Sequence, residues 1–326
     1  MNGGSFEDIQ NVVDKANSGD TIRLSGTFKA SDSKSLIKID KTLNIVSSSG
    51  AVLNARSKSG IFYLDTGAKN SIISGLTFIN GKRVIASAIY IDAKKVTLEK
   101  CTFRNNHGTD NGGGAVATTY NLNDASGLVV RDCIFKGNSA PASSGALAAF
   151  SKNFKIINTV FENNYVSNNM GRTAVGGALI AGRNQQGTYG TISGCTFKNN
   201  YVKSDNNEYS RGGAAGIQDN TIVENCKFIS NNADAGGAIY CYGSATIKNT
   251  NFTSHSKIPW RSNIHNQSRK NNNNQFQFQP KYWRIFCRSD IYTKSRTKHK
   301  KIKFQLQQSI LRRSNICTKN SHHILF

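Results

Sequence analysis

A two-part motif recurs along most of the chain and limits the folds open to it. Its first part is a Phe followed three residues later by Asn, as in FRNN (103–106), FKGN (135–138), FENN (161–164), FKNN (197–200) and FISN (228–231). Its second part lies between these, as GGAV (113–116), SGAL (144–147), GGAL (176–179), GGAA (212–215) and GGAI (236–239). A repeat of this length, built from short segments, indicates a solenoid in which each repeat packs only on its neighbours.

The segments that lead into each Phe are short, β-branched and alternate apolar with polar residues, as in VTLEKCTF (96–103) and LVVRDCIF (128–135). This pattern is typical of strands and too short for helices. We therefore predict an all-β fold, a parallel β-helix whose coils stack about 4.8 Å apart. The motif Asn is expected at a turn, with a left-handed backbone and with its amide bonded to the next Asn. The Gly pair suits a sharp corner. The predicted inner column comprises Phe78, Phe103, Phe135, Phe161, Phe197 and Phe228.

Four cysteines precede a motif Phe by two residues, namely Cys101, Cys133, Cys195 and Cys226. Strand alternation puts them on the same inward face as Phe, which predicts a column of free thiols. Disulfides between neighbouring coils remain open, because adjacent rungs lie within the Cα separation that a disulfide tolerates. No CxxC or paired His spacing accompanies these residues, so no metal site is expected.

The beginning of the chain has the pattern of a capping helix. Ser5 resembles an N-cap followed by acids, and Phe6, Ile9, Val12, Val13 and Ala16 form a helical stripe. Such a helix would cover the open end of the solenoid. We divide the chain into a cap (1–20), a β-helix (21–255) and a tail (256–326).

The tail differs in composition from the rest. It holds 16 Lys and Arg but one acid, and all 29 glycines lie at or before Gly243. A basic tail with aromatic residues is also typical of a nucleic-acid-binding arm. However, a reading frame shifted by one base recodes residues 276–291 as FNSNQNIGEYSAGAIY, which restores the motif. We predict a frameshift near residues 253–258, a disordered tail, and no specific nucleic-acid partner.

The ordered recurrence of GGA[ILV] and FxxN resembles the repeats of polymorphic outer-membrane proteins, and the layout is similar to adhesin-like surface proteins of archaea. The resemblance covers about residues 5–255 and implies a right-handed parallel β-helix, located extracellularly or at the cell surface, that acts in adhesion. It implies no cofactor and no defined catalytic residues. No signal peptide, anchor or membrane-spanning run is apparent.

Two hypotheses about function follow. The first is a non-catalytic solenoid that binds a surface glycan or protein through tyrosines of its long insertions, which are Tyr120, Tyr165, Tyr189, Tyr201 and Tyr209. The second is a polysaccharide lyase or glycosidase, since such enzymes also use this fold.

For an enzyme, the best candidates are Asp65 and Asp92, because Tyr63-x-Asp65 and Tyr90-x-Asp92 recur at a spacing that aligns the two carboxylates. His107 is expected to lie in a solvated loop. We favour binding without catalysis, and we expect no cofactor or metal.

Overall fold

Each coil of the chain adds one strand to each of several parallel sheets. The computed structural model describes residues 1–110, 112–120, 125–168, 173–182, 190–204, 210–218, 220–242, 245–254 and 286–287. All of these lie in one compact unit, Met1–Asp290, and the second unit, 291–326, lies outside the described residues. The strand pairs are parallel and join residues one coil apart. The predicted all-β parallel β-helix is therefore confirmed.

We number the four sheets in the order in which a coil meets them. Sheet I precedes the motif Phe and comprises Thr21–Arg23, Asn44–Val46, Ile72–Ser74, Thr97–Glu99, Val129–Arg131, Phe154–Ile157, Gly190–Ser193, Thr221–Glu224 and Ala245–Lys248. Sheet II carries the motif Phe and comprises Asn2–Ser5, Ser25–Lys29, Val52–Asn54, Thr77–Ile79, Thr102–Arg104, Ile134–Lys136, Val160–Glu162, Thr196–Lys198, Lys227–Ile229 and Asn251–Thr253.

The other two sheets follow the motif Asn. Sheet III is short and comprises Lys82–Arg83, His107–Gly108, Ser139–Ala140, Tyr165–Asn168 and Tyr201–Ser204. Sheet IV follows the Gly-Gly-Ala segments and comprises Ile37–Ile39, Phe62–Leu64, Ile89–Ile91, Val116–Thr118, Leu147–Ala149, Leu179–Ala181, Ala215–Ile217, Ile239–Cys241 and Phe286–Cys287.

The phenylalanines of sheet II form a column inside the solenoid. Phe161 and Phe197 have ring centroids 4.7 Å apart and planes 3° from parallel. Stacking continues without interruption from Phe78 to Phe252 at centroid distances between 4.5 and 5.0 Å. The exact register of the parallel strands produces this column, because it places each ring directly above the ring of the preceding coil.

The motif asparagines form a second buried column at the turn between sheets II and III. Asn138 donates through Nδ2 to Asn164 Oδ1 at 2.9 Å and to the carbonyl of Phe103 at 3.0 Å. The pattern repeats from Asn106 to Asn231. Each amide therefore satisfies the backbone of the turn in the coil before it.

The left-handed backbone at this turn lies one residue earlier than predicted. Asn105, Asn163 and Asn199 have φ values of 54°, 55° and 54°, whereas the motif Asn that follows each of them is not in this region. The exposed residue reverses the chain, and the next residue is thereby free to aim its amide inward.

Sharp corners lead into sheet IV where the sequence has Gly-Gly. Gly176 has φ +68°, and a Cβ on Gly177 would overlap the carbonyl of Gly213 in the next coil. The coils approach too closely here for any side chain, which accounts for the repeated Gly.

The predicted cysteine column lies at the turn between sheets I and II, and its four thiols are buried and free. The Cys133 thiol contacts the carbonyl of Arg131 at 3.3 Å, and Thr159 donates to the carbonyl of Ile157 at 2.9 Å in the equivalent place. Cys and Thr therefore both supply a short second donor to the last carbonyl of a sheet I strand, which also accepts a backbone N–H from the preceding coil. Burial raises the pKa of the Cys133 thiol well above its usual range.

The predicted capping helix is confirmed as Phe6–Lys15, and a single 3₁₀ turn occurs at Thr66–Ala68. Ser5 and Asp8 form a reciprocal capping box at the start of the longer helix. Near the C-terminal end of this helix, Lys41 Nζ donates to the carbonyl of Asp14 at 3.2 Å. The apolar stripe is buried against the first coils. Of the predicted tail, the structure describes only Phe286–Cys287, and the remainder lies outside the described residues.

Candidate ligand-binding surface

Sheet III carries a row of polar side chains, exposed or half-buried except for Ser139, that we call the tyrosine row. It consists of Lys82, His107, Ser139, Tyr165 and Tyr201, which are mutual partners in the strand register. Each member stands four residues after a motif Phe. The alternate residues Ala140, Val166 and Val202 are buried, as the period of a strand requires.

Tyr165 and Tyr201 differ from their predicted setting in the insertions 162–175 and 199–211. Both begin strands, and their rings stack with centroids 5.1 Å apart and planes 4° from parallel. Tyr201 keeps 38% of its surface exposed. Each ring covers one face of the other, and Tyr165 is half-buried.

The hydroxyl group of Tyr201 is a neutral donor and acceptor. Partial burial, with a smaller effect from Tyr165, raises the pKa of the Tyr201 phenol. It therefore keeps its proton at neutral pH, and it can both donate and accept a hydrogen bond. Such groups, repeated at the spacing of the coils, suit a ligand that is itself extended and rich in hydroxyl or amide groups.

His107 is not in a solvated loop, in contrast to the prediction. It begins the strand His107–Gly108, is half-buried, and has Nδ1 2.6 Å from Ser139 Oγ. Burial, together with the positive charge of Lys82, lowers the pKa of the imidazole from its ordinary value. His107 is therefore neutral at pH 7 and contributes a hydrogen-bonding group to the row.

Exposed amides flank the tyrosine row. Asn105, Asn163 and Asn199, which make the left-handed turns, lie on the solvent side of the corner between sheets II and III. Lys136, Glu162 and Lys198 end the sheet II strands that lead into this corner. Both lysines pair with Glu162, with Nζ–Oε distances of 3.0 Å for Lys136 and 3.7 Å for Lys198. The corner thus combines amides, hydroxyls and a cluster of two cations around one carboxylate.

Asp65 and Asp92 lie on neighbouring coils at the end of sheet IV, because Leu64 and Ile91 are register partners. Lys38 Nζ lies 2.9 Å from Asp65 Oδ2, and the Tyr63 hydroxyl donates to Asp92 at 3.3 Å. Each carboxylate thus receives a donor from the preceding coil. Tyr63 and Tyr90 lie beside them with ring centroids 5.7 Å apart.

The pKa shifts of Asp65, Lys38 and Tyr63 do not favour acid–base chemistry by these three groups. The hydrogen bond from Lys38 lowers the pKa of Asp65, and Asp65 in turn raises the pKa of Lys38. Burial, with smaller effects from the nearby carboxylates, raises the pKa of Tyr63. Asp65 and Lys38 therefore stay charged and Tyr63 stays neutral at pH 7, whereas a general acid or base works best with a pKa near the working pH.

Of the other predicted tyrosines, Tyr120 is not part of the row. Tyr120 is 60% exposed and follows sheet IV, where its ring packs against Phe150 at 4.4 Å. Tyr189 and Tyr209 lie outside the described residues. Sequence reasoning missed Lys82, His107 and Ser139 as companions of Tyr165 and Tyr201, although counting four residues on from each motif Phe would have found them.

Two further properties concern the described part of the chain alone. It contains no group of three or more His, Cys, Asp or Glu side chains that could hold a metal ion. It also contains no helix long and apolar enough to cross a membrane.

Comparison with known families agrees with this architecture. Residues 9–186, more than half of the chain, match the family described as the right handed beta helix region. The chain therefore belongs to the right-handed β-helix family. Its hand is the one expected, since parallel crossover connections are right-handed in nearly all cases.

Two solved structures are similar to the chain. The first, described as a new PL6 alginate lyase complex with trisaccharide, has a TM-score of 0.55 and 13% identity over 81% of this chain and 62% of that one. The chain thus spans less than two thirds of that protein, and the likeness shows the fold alone.

The second is the Streptococcus pneumoniae surface protein and adhesin PfbA, with a TM-score of 0.28 and 12% identity over 77% of this chain and 97% of that one. This score is too low to support an argument. No curated protein matches the chain.

Proposed function

We propose that this protein is a non-catalytic, adhesin-like binding solenoid that attaches to a surface glycan or protein. The observation that carries the proposal is the tyrosine row, in which Tyr165 and Tyr201 stack in strict register and Tyr201 keeps 38% of its surface exposed. A stack fixed by the backbone loses little entropy on binding, because its rotamers are already restricted. A location outside the cell or at its surface belongs to the same proposal and rests on the resemblance of the repeats to adhesin-like proteins.

A hydroxyl-rich glycan is the ligand that the row fits best. The hydroxyl and imidazole groups of His107, Ser139, Tyr165 and Tyr201 can donate or accept hydrogen bonds. They recur once per coil along a straight line, as the groups of a linear polymer recur along its length. Beside the row, Glu162 pairs with both Lys136 and Lys198, so this group of three side chains keeps one net positive charge.

A polysaccharide lyase or glycosidase is the alternative. The observation in its favour is the collection of Lys38, Tyr63, Tyr90, Asp65 and Asp92 on one face of sheet IV. Against it stand the ion pair that holds Asp65 and the raised pKa of Tyr63, since neither group is poised to exchange a proton.

Glycan-array binding of the full chain tests the proposal. Replacing Tyr165 and Tyr201 together with Ala should abolish binding to the glycans that the wild type retains. Tyr120→Ala removes a more exposed tyrosine outside the row and serves as the matched control. Binding that survives the double replacement but is lost with Tyr120→Ala would overturn the assignment of the site.

A further inference from the structure

The stack of rings in the tyrosine row stops at Ser139. Tyr165 has Tyr201 as its register partner on one side, and the two rings stack. On its other side the register partner is Ser139, whose short side chain carries no ring and is only 8% exposed. The next member of the row is His107, two coils from Tyr165 and therefore about 9.6 Å away along the solenoid axis. We call this place in the row, between Tyr165 and His107, the Ser139 gap.

The coil that carries Ser139 is also small at the adjacent corner between sheets II and III. Gly137 stands where the flanking coils have Asn105 and Asn163, and the three residues share a left-handed backbone, with φ values of 65°, 54° and 55°. Since Asn adopts this backbone in both neighbours, the turn itself does not require Gly. A Cβ on Gly137 would lie 2.8 Å from Asn105 Oδ1, so the Asn105 amide reaches toward the place that a side chain would take. Beside the Ser139 gap, the corner thus presents an amide and little bulk.

Hydrogen-bonding groups lie at the base and on the far side of the Ser139 gap. Ser139 Oγ is 2.6 Å from His107 Nδ1, so these two side chains are joined by a hydrogen bond. In the neutral imidazole, Nε2 is then a donor or an acceptor according to the tautomer. The gap therefore has an aromatic ring on one side, and polar groups that donate or accept at its base and on its other side.

We propose that the Ser139 gap binds one pyranose ring of the glycan, which stacks on Tyr165 and continues the column of rings. This inference rests on the proposed function and names the part of the row that holds a sugar. The step of one coil, about 4.8 Å, is close to the 5.1 Å between the ring centroids of Tyr165 and Tyr201. A ring placed over Ser139 would therefore meet Tyr165 at the distance at which Tyr201 does.

The chemistry around the gap favours a sugar over an aromatic side chain of a protein partner. A pyranose has C–H groups on its faces, which pack on an aromatic ring, and hydroxyl groups around its edge, which need polar partners. His107 and Asn105 can supply those partners. An aromatic side chain would stack on Tyr165 equally well, but it would cover these polar groups and offer them no hydrogen bond in return.

Two matched substitutions in the full chain test this assignment. Ser139→Tyr extends the stack into the Ser139 gap. Asn232→Tyr extends it at the other end, because Asn232 is exposed and is the bridge partner of Tyr201. Each variant adds one tyrosine to the column, and thermal unfolding, measured first, shows that each one folds. Ser139→Tyr should weaken glycan binding at least about tenfold and Asn232→Tyr less than about twofold, since only the first occupies the place of the sugar.

A second matched pair changes the corner beside the gap. Gly137→Asn restores the residue type of the flanking coils, and Gly194→Asn makes the same change at the turn between sheets I and II. Both glycines have φ 65°, and in each case a Cβ would approach Oδ1 of an asparagine in the preceding coil, so the cost to folding is matched. Gly137→Asn should weaken binding at least about threefold, whereas Gly194→Asn should leave it unchanged.

Neutral trisaccharides of glucose, galactose and mannose are the probes, and saturation-transfer NMR with the full chain measures their binding. We expect transfer to the C–H protons of at least one of them, and its loss in Ser139→Tyr. No transfer to any of these sugars, or equal effects of Ser139→Tyr and Asn232→Tyr, would overturn the inference. Transfer to N-acetyltryptophanamide alone would also overturn it and assign the gap to an aromatic side chain of a protein. The proposed function fails on a separate result, namely array binding that does not depend on Tyr165 and Tyr201.

Discussion

Asn138 Nδ2 lies 2.9 Å from Asn164 Oδ1, one coil further along the chain, and both side chains are fully buried. The same amide satisfies the carbonyl of Phe103, and its oxygen accepts the backbone N–H of Asn106. One side chain thus joins three successive coils at a turn that no regular sheet continues. This explains why Asn recurs at this position of the motif. The hydroxyl side chain of Ser or Thr is too short to reach these partners, and the carboxylate of Asp has no donor.

Asn138→Ala should therefore be strongly destabilising. It leaves the buried N–H of Asn106 without a partner and removes one of the donors to the carbonyl of Phe103, and an unpaired buried group costs about 1–3 kcal/mol. We expect the free energy of unfolding to fall by at least about 2 kcal/mol in chemical denaturation. Asn163→Gly is the control, because Asn163 is exposed and its φ of 55° suits Gly. A loss as large in the control would refute the role of the buried amide.

The phenylalanine column should carry a larger share of stability. Phe135→Ala leaves a cavity between Phe103 and Phe161, which lie 4.5 and 4.9 Å from it, and the expected loss is about 3–5 kcal/mol. Ile134 precedes Phe135 on the same strand but is 43% exposed. Ile134→Ala should cost less than about 1 kcal/mol. Thermal or urea unfolding that ranks the two variants the other way would contradict the inward column.

The cysteine column should depend on a donor rather than on sulfur. Cys133→Thr keeps a short donor for the carbonyl of Arg131, as Thr159 does for Ile157. Cys133→Val keeps the volume but removes the donor, so it should be the less stable variant by about 1 kcal/mol. Differential scanning calorimetry of the two proteins decides this, and equal melting temperatures would show that packing alone matters.

His107 should make stability depend on pH. Its pKa in the folded state lies below its unfolded value, so the unfolded chain binds more protons in the interval between the two pKa values. Stability is then complete above the unfolded pKa and falls as pH decreases through that interval. His107→Gln removes this contribution, so the wild type should lose more stability than the variant between pH 7 and pH 5. An equal loss of unfolding free energy in the wild type and in His107→Gln between pH 7 and pH 5 would exclude the effect.

The repeated parts of the fold were predictable because the same residue types recur at the same positions in each coil. Phe135 and Asn138 stand at fixed places in every full repeat, so their columns follow from the spacing. The tyrosine row was harder to predict, because the same position carries Lys82, His107, Ser139 and Tyr165 in successive coils. A row of changing residue types leaves no repeat, although its register with the Phe column fixes its place.

Side-chain contacts between coils could not be predicted from the sequence either. The alignment of Asp65 with Asp92 followed from their spacing, but their partners Lys38 and Tyr63 depend on how side chains lean toward the next coil. The left-handed turn at Asn163 was assigned one residue too late for a similar reason. The sequence identifies the turn. Which of its two residues adopts the left-handed backbone, and which one hydrogen-bonds through its side-chain amide, can be seen only in the structure.

The hydroxyls of the tyrosine row can be separated from its rings. Tyr165→Phe with Tyr201→Phe retains the stack but removes both hydroxyls. If the hydroxyls bind the ligand, this variant should lose most glycan binding while its melting temperature stays within about 2 °C of the wild type, since each hydroxyl contributes little to stability at the surface. Unchanged binding would assign recognition to the ring edges instead.

The central claim, binding without turnover, is tested most directly by the fate of the ligand. A glycan retained by the wild-type protein would be incubated with it, recovered, and its mass and reducing ends or unsaturated ends measured against a protein-free sample. We predict a ligand recovered intact by the wild type and not retained by the Tyr165→Ala, Tyr201→Ala variant. Shortened products that disappear in Asp65→Asn or Asp92→Asn would contradict the account and assign the protein to the lyases or glycosidases.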